Sequence, residues 1–288
     1  MAILRKTAFK TTAIWAIGLG AVLLAGCSNS QPDSAESSAS KDSAASSEVL
    51  RIGTEGAYAP FNFTNADGSL GGFDVDIANA LCADMKVKCD IQAQDWDGII
   101  PALKAGKFDA IVAAMSVTPE RAKEVSFTEP YFDNSLVFLA KDSASFDPSK
   151  TADINSHSVA AQRSTISSQW FEKTYPKADM KLYDTLSNAF LDLGAGRVEA
   201  MISDKLPALQ WLNSPSGKGF VIKGEDIDIN DHLAIAVRPD DELKDQLNQA
   251  LANIKANGTY DKIYDKYFSL KSSQDSAEVA PQADLSKS

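Results

Sequence analysis

The stretch Asp109-Ala-Ile-Val-Ala-Ala-Met-Ser-Val-Thr-Pro-Glu-Arg121 gives the clearest indication of the fold class of this chain. Its first seven residues predict a buried strand of the parallel type. Thr118 is a preferred N-cap and Pro119 suits the first helical position, so the residues that follow predict a helix. Because ligands of open α/β sheets bind beyond the carboxyl ends of the strands, Arg121 would lie at a binding edge.

Arg121 is therefore a candidate residue for binding an anion. Unpaired N–H groups at a helix N-terminus, the helix dipole and a forked guanidinium would together favour a bound carboxylate. The alternative is an ordinary capped helix whose arginine pairs with a nearby surface acid, an interaction that contributes little to stability. This stretch alone favours neither interpretation.

Predicted strands and helices alternate through most of the chain. The strands are expected at 50–53, 89–92, 109–113, 158–161, 181–183 and 200–202, and the helices at 74–85, 97–105, 166–174 and 185–194. A hairpin is expected around Asp67-Gly68, between short apolar runs. This order predicts an α/β fold with mostly parallel sheets.

Two segments of the chain resemble each other. Leu103-Lys-Ala-Gly-Lys-Phe-Asp-Ala-Ile-Val-Ala113 matches Leu193-Gly-Ala-Gly-Arg-Val-Glu-Ala-Met-Ile-Ser203 in the order of its residue types. Each segment has a helix end, a glycine stop, a basic residue and a strand that starts with an acid. Helix-to-strand corners use similar residues, so chance could give such a match, but it indicates two lobes of one design.

The N-terminus has the features of an export signal. Arg5, Lys6 and Lys10 precede an apolar run that is shorter than a membrane span and ends in Leu24-Ala25-Gly26-Cys27. This ending looks like a bacterial lipobox, which implies cleavage before Cys27 and lipidation of its thiol. The alternative is a plain secretory signal with a chance cysteine. The Ser- and Ala-rich residues that follow predict a flexible linker.

Composition limits the classes of partner. The chain has 28 basic and 39 acidic residues and a net charge of −11, without a basic stripe, so we do not expect it to bind nucleic acid. Cys82 and Cys89 are expected at a helix–strand corner. Outside the cytoplasm they should oxidise to a disulfide, and two buried free thiols are the alternative. We expect neither a metal nor a cofactor, because the two histidines form no ligand pair with the cysteines.

The chain resembles the amino-acid-binding proteins of bacterial ABC importers, the polar amino-acid class of solute-binding protein family 3. It is most similar to the branch that binds lysine, arginine, ornithine, histidine and opines. The motifs that carry the resemblance are Arg51-Ile-Gly-Thr-Glu-Gly-Ala-Tyr-Ala-Pro-Phe61, Gly72-Phe-Asp-Val-Asp76, Trp96-Asp-Gly-Ile-Ile-Pro101, Ser116-Val-Thr-Pro-Glu-Arg121, Phe127-Thr-Glu-Pro-Tyr131, Ala195-Gly196-Arg197 and Asn257-Gly-Thr-Tyr-Asp-Lys-Ile-Tyr-Asp-Lys-Tyr-Phe268.

The resemblance implies a two-lobed clamshell of the type II periplasmic-binding-protein fold, with two hinge crossings near 133–135 and 234–237. It would be a monomer that closes over one amino acid and delivers it to a membrane permease, tethered by its lipid in the periplasm or on the outer face of the cell envelope. The domains predicted in this way are a signal peptide at 1–26, the lipidated cysteine with a disordered linker at 27–48, lobe 1 at 49–133 and 237–271, lobe 2 at 134–236, and a disordered tail at 272–288.

The resemblance also assigns the two ends of an amino-acid zwitterion. Arg121 would hold the α-carboxylate, with help from the backbone at Ala114 and Ser116. From the other lobe, Ser164 and Thr165 would offer N–H groups at the start of the helix at 166. Asp204 would accept the α-ammonium. These roles agree with the chemistry of guanidinium, helix N-termini and carboxylate. Asp204 could instead be the N-cap of the helix that begins near Leu206.

Side-chain selectivity would depend on Glu55, Tyr58 and Trp96. Two aromatic rings that flank a flat cation, with a carboxylate at its tip, suit a guanidinium. The two rings could instead be core aromatics and Glu55 a loop acid. Ala113, Ala114, Arg163 and Ile166 differ from the residues that basic-amino-acid binders often have, and Arg163 is expected to point to solvent.

The expected ligand is a cationic amino acid, arginine, lysine or ornithine. Histidine, glutamine or an opine is the alternative for the same fold. Two other classes of function stay open from the sequence. One is a periplasmic enzyme of the dehydratase type, in which Asp204 or Glu55 would be a general acid, and the other is a sensor or adhesin without transport.

Overall fold

Three parallel strands form one side of each of the two five-stranded sheets. The computed structural model describes residues 48–269; the predicted signal peptide, Cys27 with its linker up to residue 47, and the tail at 272–288 lie outside the described residues. None of the helices within 48–269 has the length and apolar character that crossing a membrane requires.

Sheet 1 has the strand order β5-β1-β6-β13-β7, in which the first three strands are parallel and the last two pairings are antiparallel. Sheet 2 has the order β10-β9-β11-β8-β12 and the same division. The strands of sheet 1 are β1 Val49–Thr54, β5 Lys88–Ala93, β6 Ala110–Ile111, β7 Ser126–Phe127 and β13 Ala236–Val237. Those of sheet 2 are β8 Phe132–Lys141, β9 Ser158–Gln162, β10 Asp179–Tyr183, β11 Ala200–Asp204 and β12 Phe220–Leu233.

A small antiparallel sheet adjoins sheet 1, and helices cover both large sheets. The small sheet contains the predicted hairpin and consists of β2 Ala57–Tyr58, β3 Asn62–Thr64 and β4 Leu70–Gly71. The helices are α1 Phe73–Met85, α2 Trp96–Lys104, α3 Thr151–Ile154, α4 Ile166–Thr174, α5 Leu186–Gly194, α6 Lys205–Leu212, α7 Leu243–Ala256 and α8 Thr259–Phe268. The predicted α/β class is confirmed.

Strand β9 illustrates why the sheets form. Val159 and Ala161 pack in one apolar cluster with Phe171 of α4, whereas Ala160 packs in another with Leu193 of α5. A strand that is covered by helices on both faces needs apolar residues at successive positions, and the sequence at 159–161 supplies them.

The two helix-to-strand corners that resemble each other in sequence also have the same backbone geometry. Gly106 and Gly196 have φ angles of 75° and 69°, which a residue with a Cβ rarely adopts. The amide of the next residue bonds back in each case, from Lys107 to the Ala102 carbonyl at 3.0 Å and from Arg197 to the Asp192 carbonyl at 2.9 Å. The sequence repeat therefore corresponds to a repeated helix stop, one in each lobe.

The chain passes between the sheets at two adjacent places. It leaves sheet 1 after β7 and enters sheet 2 at β8, and it returns from the end of β12 to β13. The segment that follows β6 is bound to the second crossing, because Val117 N–H donates to the His232 carbonyl at 2.9 Å and Ala234 N–H donates to the Met115 carbonyl at 3.0 Å. One loop of the binding edge is thus joined directly to the hinge.

The predicted helix after Thr118 is wrong in length. Only a single 3-10 turn forms, at Arg121–Lys123, before β7 begins. Thr118 does cap it, since its Oγ1 accepts the N–H of Arg121 at 3.1 Å. The chain must enter sheet 1 within a few residues, which ends the helix after one turn. The dipole of a long helix therefore does not contribute at Arg121.

A disulfide joins α1 to β5. Cys82 and Cys89 are bonded, with their Cα atoms 5.7 Å apart and a sequence separation of 7, so the predicted oxidation is confirmed and the alternative of two free thiols is wrong. Neither cysteine lines the cleft between the lobes. The disulfide closes only a very small loop, so it reduces the conformational entropy of the unfolded chain by a small amount.

We expect reduction of this disulfide to lower the free energy of unfolding by about 2.5 kcal/mol, the chain-entropy value for such a short loop. Urea denaturation with and without reductant measures the change. The double variant Cys82→Ser/Cys89→Ser is the control, and its midpoint should not respond to reductant. An oxidised protein with the same midpoint as the reduced one would contradict the expectation.

Candidate functional site

A cleft lies where the carboxyl ends of the parallel strands of both sheets face each other. Its walls come from the residues after β1 and β6 on one side and after β9 and β11 on the other. The lining residues are Glu55, Tyr58, Trp96, Ala113, Ala114, Ser116, Arg121, Gln162, Thr165, Ile166 and Asp204. The cavity volume is about 10 Å³, room for about one water molecule, so side chains of the two lobes fill the cleft.

The structure brings the predicted ligand-binding residues together. All of them except Ser164 line this cavity, and the Ser164 carbonyl accepts hydrogen bonds from two of the lining side chains. The loop positions follow from the topology, because parallel strands end at the same edge of a sheet. Ala114 and Ser164 both have positive φ angles, of 46° and 60°, which turn the backbone sharply at the two rims of the cleft.

Arg121 is buried, with 7 % of its surface exposed. Its Nη1 donates to the Ser116 carbonyl at 2.8 Å and its Nη2 to the Ser164 carbonyl at 2.9 Å, and its Cζ lies 5.1 Å from the ring centroid of Trp96. Within residues 48–269, no acidic side chain forms an ion pair with it. The alternative of a surface ion pair is therefore wrong, and the guanidinium is buried without a carboxylate in direct contact among the described residues.

Burial is also what shifts the pKa of this arginine. Desolvation lowers the pKa of Arg121 to about 10, and the nearby carboxylates of Asp231 and Asp204 oppose that shift. A buried cation is costly unless an anion compensates it. An anion bound between the lobes at this guanidinium would supply the missing charge, whereas its present partners are neutral carbonyls.

Asp204 is a second buried charge of the cleft. It is the last residue of β11 and lies at the N-cap position of α6, but its side chain makes no capping hydrogen bond. Its Oδ2 accepts the hydroxyl of Tyr58 from the other lobe at 2.6 Å, and its Oδ1 is buried without a hydrogen-bond partner among the described residues. Burial raises the pKa of Asp204 to about 6. The free oxygen is suited to a ligand donor, so capping does not account for this residue.

Glu55 is another buried acid that lines the cleft, and it lies directly after β1. Its Oε1 accepts the Nε2 of Gln162 across the cleft at 2.7 Å, in a buried contact. Burial raises the pKa of Glu55 to about 7; the hydrogen bond from Gln162 opposes this shift, and the carboxylates of Asp95 and Asp97 add to it. A carboxyl group with so high a pKa is stabilised in its charged form by a nearby cation.

The two predicted aromatic residues have specific contacts. Trp96 places its ring over the guanidinium of Arg121 and donates its Nε1 to the Ser164 carbonyl at 3.2 Å. Burial, together with the negative charge of Asp204, raises the pKa of Tyr58 well above its usual value, so its hydroxyl remains a donor. Tyr58 belongs to an apolar core cluster and Trp96 packs against another, so these core aromatics also line the cleft; the alternative of a solvated Glu55 is wrong, because Glu55 is buried.

Arg163 is partly exposed, as expected, but it is not free in solvent. Its Nη1 lies 2.6 Å from Asp184 and 3.7 Å from Asp97 across the mouth of the cleft. Each of the three side chains keeps a large exposed fraction, so these pairs contribute little to stability.

Gln162 is a residue of the cleft that sequence reasoning missed. It is 1 % exposed, and its Oε1 has no hydrogen-bond partner within the described part of the chain. Its position as the last residue of a parallel strand, just before Ser164, is the signal that could have identified it. Together with Glu55 it presents adjacent acceptor atoms at one end of the cleft.

Comparison with known proteins agrees with this geometry. Residues 50–270 match the family model of bacterial extracellular solute-binding proteins, family 3. The chain is 37 % identical over 229 residues to ABC transporter arginine-binding protein 1 of Escherichia coli (strain K12), covering 78 % of this chain and 93 % of that protein. It is 38 % identical over 233 residues to the L-arginine-binding protein of Pseudomonas aeruginosa, covering 78 % and 90 %.

A solved structure is similar as well. An ancestral arginine-binding protein bound to arginine matches with a TM-score of 0.73 and 37 % identity, covering 76 % of this chain and 98 % of that one. The resemblance inferred from the motifs and the two-lobed clamshell are thereby confirmed. The chain belongs to the bacterial extracellular solute-binding proteins of family 3.

Proposed function

We propose that this protein captures a cationic amino acid, arginine above lysine or ornithine, outside the cytoplasm and delivers it to an ABC importer. The observation that carries the proposal is the distribution of buried charge along one cleft. The cleft is lined by the buried guanidinium of Arg121, which has no ion-pair partner among the described residues, and by the buried carboxyl group of Glu55, whose pKa is raised. The names of the relatives, which are arginine-binding proteins, support the same ligand.

In this proposal each charged group of the ligand has one receiving group. Arg121 holds the α-carboxylate, with the backbone at Ala114, Ser116, Ser164 and Thr165 around it. The free Oδ1 of Asp204 accepts the α-ammonium. Carboxylate with guanidinium and ammonium with carboxylate are strong, charge-assisted pairs.

Glu55 and Gln162 favour arginine over lysine. A guanidinium presents several donors in a fixed plane, and an ammonium is a compact point charge. Here a carboxylate and the unpaired Oε1 of Gln162 adjoin each other, and both need donors. The planar group of arginine can donate to both atoms, while Tyr58 and Trp96 border it on the cleft walls.

The cellular context is part of the proposal. Cys27 would be lipidated and would tether a monomer to the membrane through the linker, with 49–133 and 237–271 as lobe 1 and 134–236 as lobe 2. Binding, and not catalysis, is the proposed role. The raised pKa values of Glu55 and Asp204 would suit a general acid, but burial accounts for them against the opposing effect of the cross-cleft hydrogen bonds, and a bound cation would lower them.

We expect arginine to stabilise the protein most in a thermal-shift panel with lysine, ornithine, histidine, glutamine, glutamate, citrulline and an opine. All of these ligands have the same zwitterionic head group, except that the α-amine of the opine carries a substituent. The ranking therefore reports how the cleft binds the side chain of the ligand. Arginine should raise Tm more than citrulline, its neutral isostere, because Glu55 favours a cation. Strongest stabilisation by glutamate, or none by any ligand, would refute the proposal.

Arg121→Ala should weaken binding of every amino acid in the panel by at least about 100-fold, since truncating one partner of a buried charge pair costs about 3–5 kcal/mol. Isothermal titration calorimetry measures the affinities. Arg197→Ala is the matched control, because the Arg197 side chain is 61 % exposed and pairs only with Asp192 among the described residues. Normal binding by Arg121→Ala would remove the main support for the proposed site.

The affinity for arginine should fall as the pH is lowered below about 7. Glu55 has its pKa near 7 in the cleft, and a bound guanidinium lowers that pKa, so binding releases a proton and is opposed by acid. Titration calorimetry at several pH values measures the slope. In Glu55→Gln the dependence between pH 6 and 7 should diminish, and citrulline binding to the original protein should show only the weaker dependence that Asp204, with its pKa of about 6, gives to both ligands. An arginine affinity that rises with acid would contradict this sign.

A further inference from the structure

Asp231 is a buried acid of the hinge that the proposed ligand contacts do not include. It lies on β12, just before the second crossing, and is 5 % exposed. Its Oδ2 accepts two hydrogen bonds, from Ser116 Oγ at 3.0 Å and from Asn134 Nδ2 at 2.8 Å. Asp231 therefore joins a loop of the cleft to both hinge strands.

The position of this carboxylate places it behind the anion end of the cleft. Ser116 lines the cavity, and its carbonyl accepts a hydrogen bond from Arg121 Nη1 at 2.8 Å. Because the Ser116 hydroxyl donates to Asp231, a single residue connects Asp231 to the guanidinium. Among the neighbouring charges, the carboxylate of Asp231 has the largest effect in raising the pKa of Arg121. It does not line the cavity itself.

The fixed charges around the cleft are thus unequal. Four acids of the described residues are buried, Glu55, Asp74, Asp204 and Asp231, against one buried base, Arg121. The zwitterionic head group of an amino acid adds one charge of each sign and leaves this imbalance unchanged. A positively charged side chain reduces it, and a neutral side chain of the same shape does not.

We propose that Asp231 is a specificity-determining residue, whose buried carboxylate favours ligands with a cationic side chain without touching them. The inference rests on the proposed function, because it takes the ligand to be an amino acid anchored at Arg121. It differs from the role of Glu55, which acts by direct contact.

The distance dependence of electrostatic interactions supports such an effect. Asp231 does not line the cavity and would not touch the ligand side chain, but a buried carboxylate is screened much less than a surface one. For unit charges roughly 10 Å apart at an effective dielectric constant near 20, the interaction corresponds to an affinity difference of about tenfold. The head group is common to all amino acids, so its interaction with Asp231 cancels when two ligands are compared.

Asp231→Asn tests the charge with little change of shape. The amide Oδ1 of asparagine can still accept the bonds from Ser116 and Asn134. We expect the ratio of arginine affinity to citrulline affinity, measured by titration calorimetry on the full mature protein, to fall about three- to tenfold in this variant. A fall of equal factor for both ligands would show a merely structural role and would overturn the inference.

Two further variants distinguish the effect of the Asp231 charge from the effects of net charge and of side-chain length. Asp228→Asn removes an exposed carboxylate from the same strand, and its affinity ratio should stay within about twofold of the original because solvent screens that charge. If Asp228→Asn lowers the ratio as much as Asp231→Asn, general net charge and not Asp231 is responsible. Asp231→Glu keeps the charge and should keep the ratio, even where the altered length weakens both ligands.

The same titrations separate the two proposals. If the original protein binds neither arginine nor citrulline, the proposed function fails, and the role of Asp231 fails with it. If it binds arginine and the ratio is unchanged in Asp231→Asn, only the role of Asp231 fails. A reduced ratio in Asp231→Asn together with a normal ratio in Asp228→Asn supports the inference.

Discussion

The buried guanidinium of Arg121 is the constraint on which the cleft depends. A buried cation without a carboxylate in contact is unfavourable. Here two neutral carbonyls and one aromatic face contact the guanidinium, and the carboxylates of Asp231 and Asp204 favour its charge from farther away. The two carbonyls belong to different lobes, Ser116 on one and Ser164 on the other. Compensation of this charge therefore depends on the closeness of the lobes, and an anion held between them would complete it. A single side chain links closure to binding in this way.

The other polar groups of the cleft follow the same logic. Tyr58 donates a hydrogen bond to Asp204, and Gln162 donates one to Glu55, each across the cleft. The two lobes therefore satisfy part of each other's buried polar groups. The remaining acceptors, Asp204 Oδ1 and Gln162 Oε1, are buried and unpaired among the described residues. A buried unpaired polar atom costs about 1–3 kcal/mol. A ligand that donates to both atoms recovers that free energy, and only in the closed arrangement, which is the differential contact that a population shift requires.

The sequence allowed the fold class, the disulfide and most of the cleft to be predicted, because these depend on local patterns and on strand order. The repeated helix stop at Gly106 and Gly196 is one such local pattern. The helix after Thr118 was overestimated, because its capping residues are local, whereas the requirement to enter sheet 1 at β7 is not. Gln162 and Asp231 were missed for a related reason. Their importance comes from the residues across the cleft and at the hinge, and no spacing along the chain records those contacts.

Charge and stability are connected in this cleft through the raised pKa values. Burial raises the pKa of Glu55 from 4.5 to about 7, so the folded protein holds that proton more tightly than the unfolded chain does. Such a group contributes stability that is fully present below pH 4.5 and is lost as the pH rises to 7, an amount on the order of 3 kcal/mol. Asp204 acts with the same sign at lower pH. A cation beside Glu55 stabilises the carboxylate, opposes the shift that burial causes, and recovers that free energy at neutral pH. The cost of keeping acids buried is therefore the free energy by which the cleft can distinguish a charged side chain from its neutral isostere.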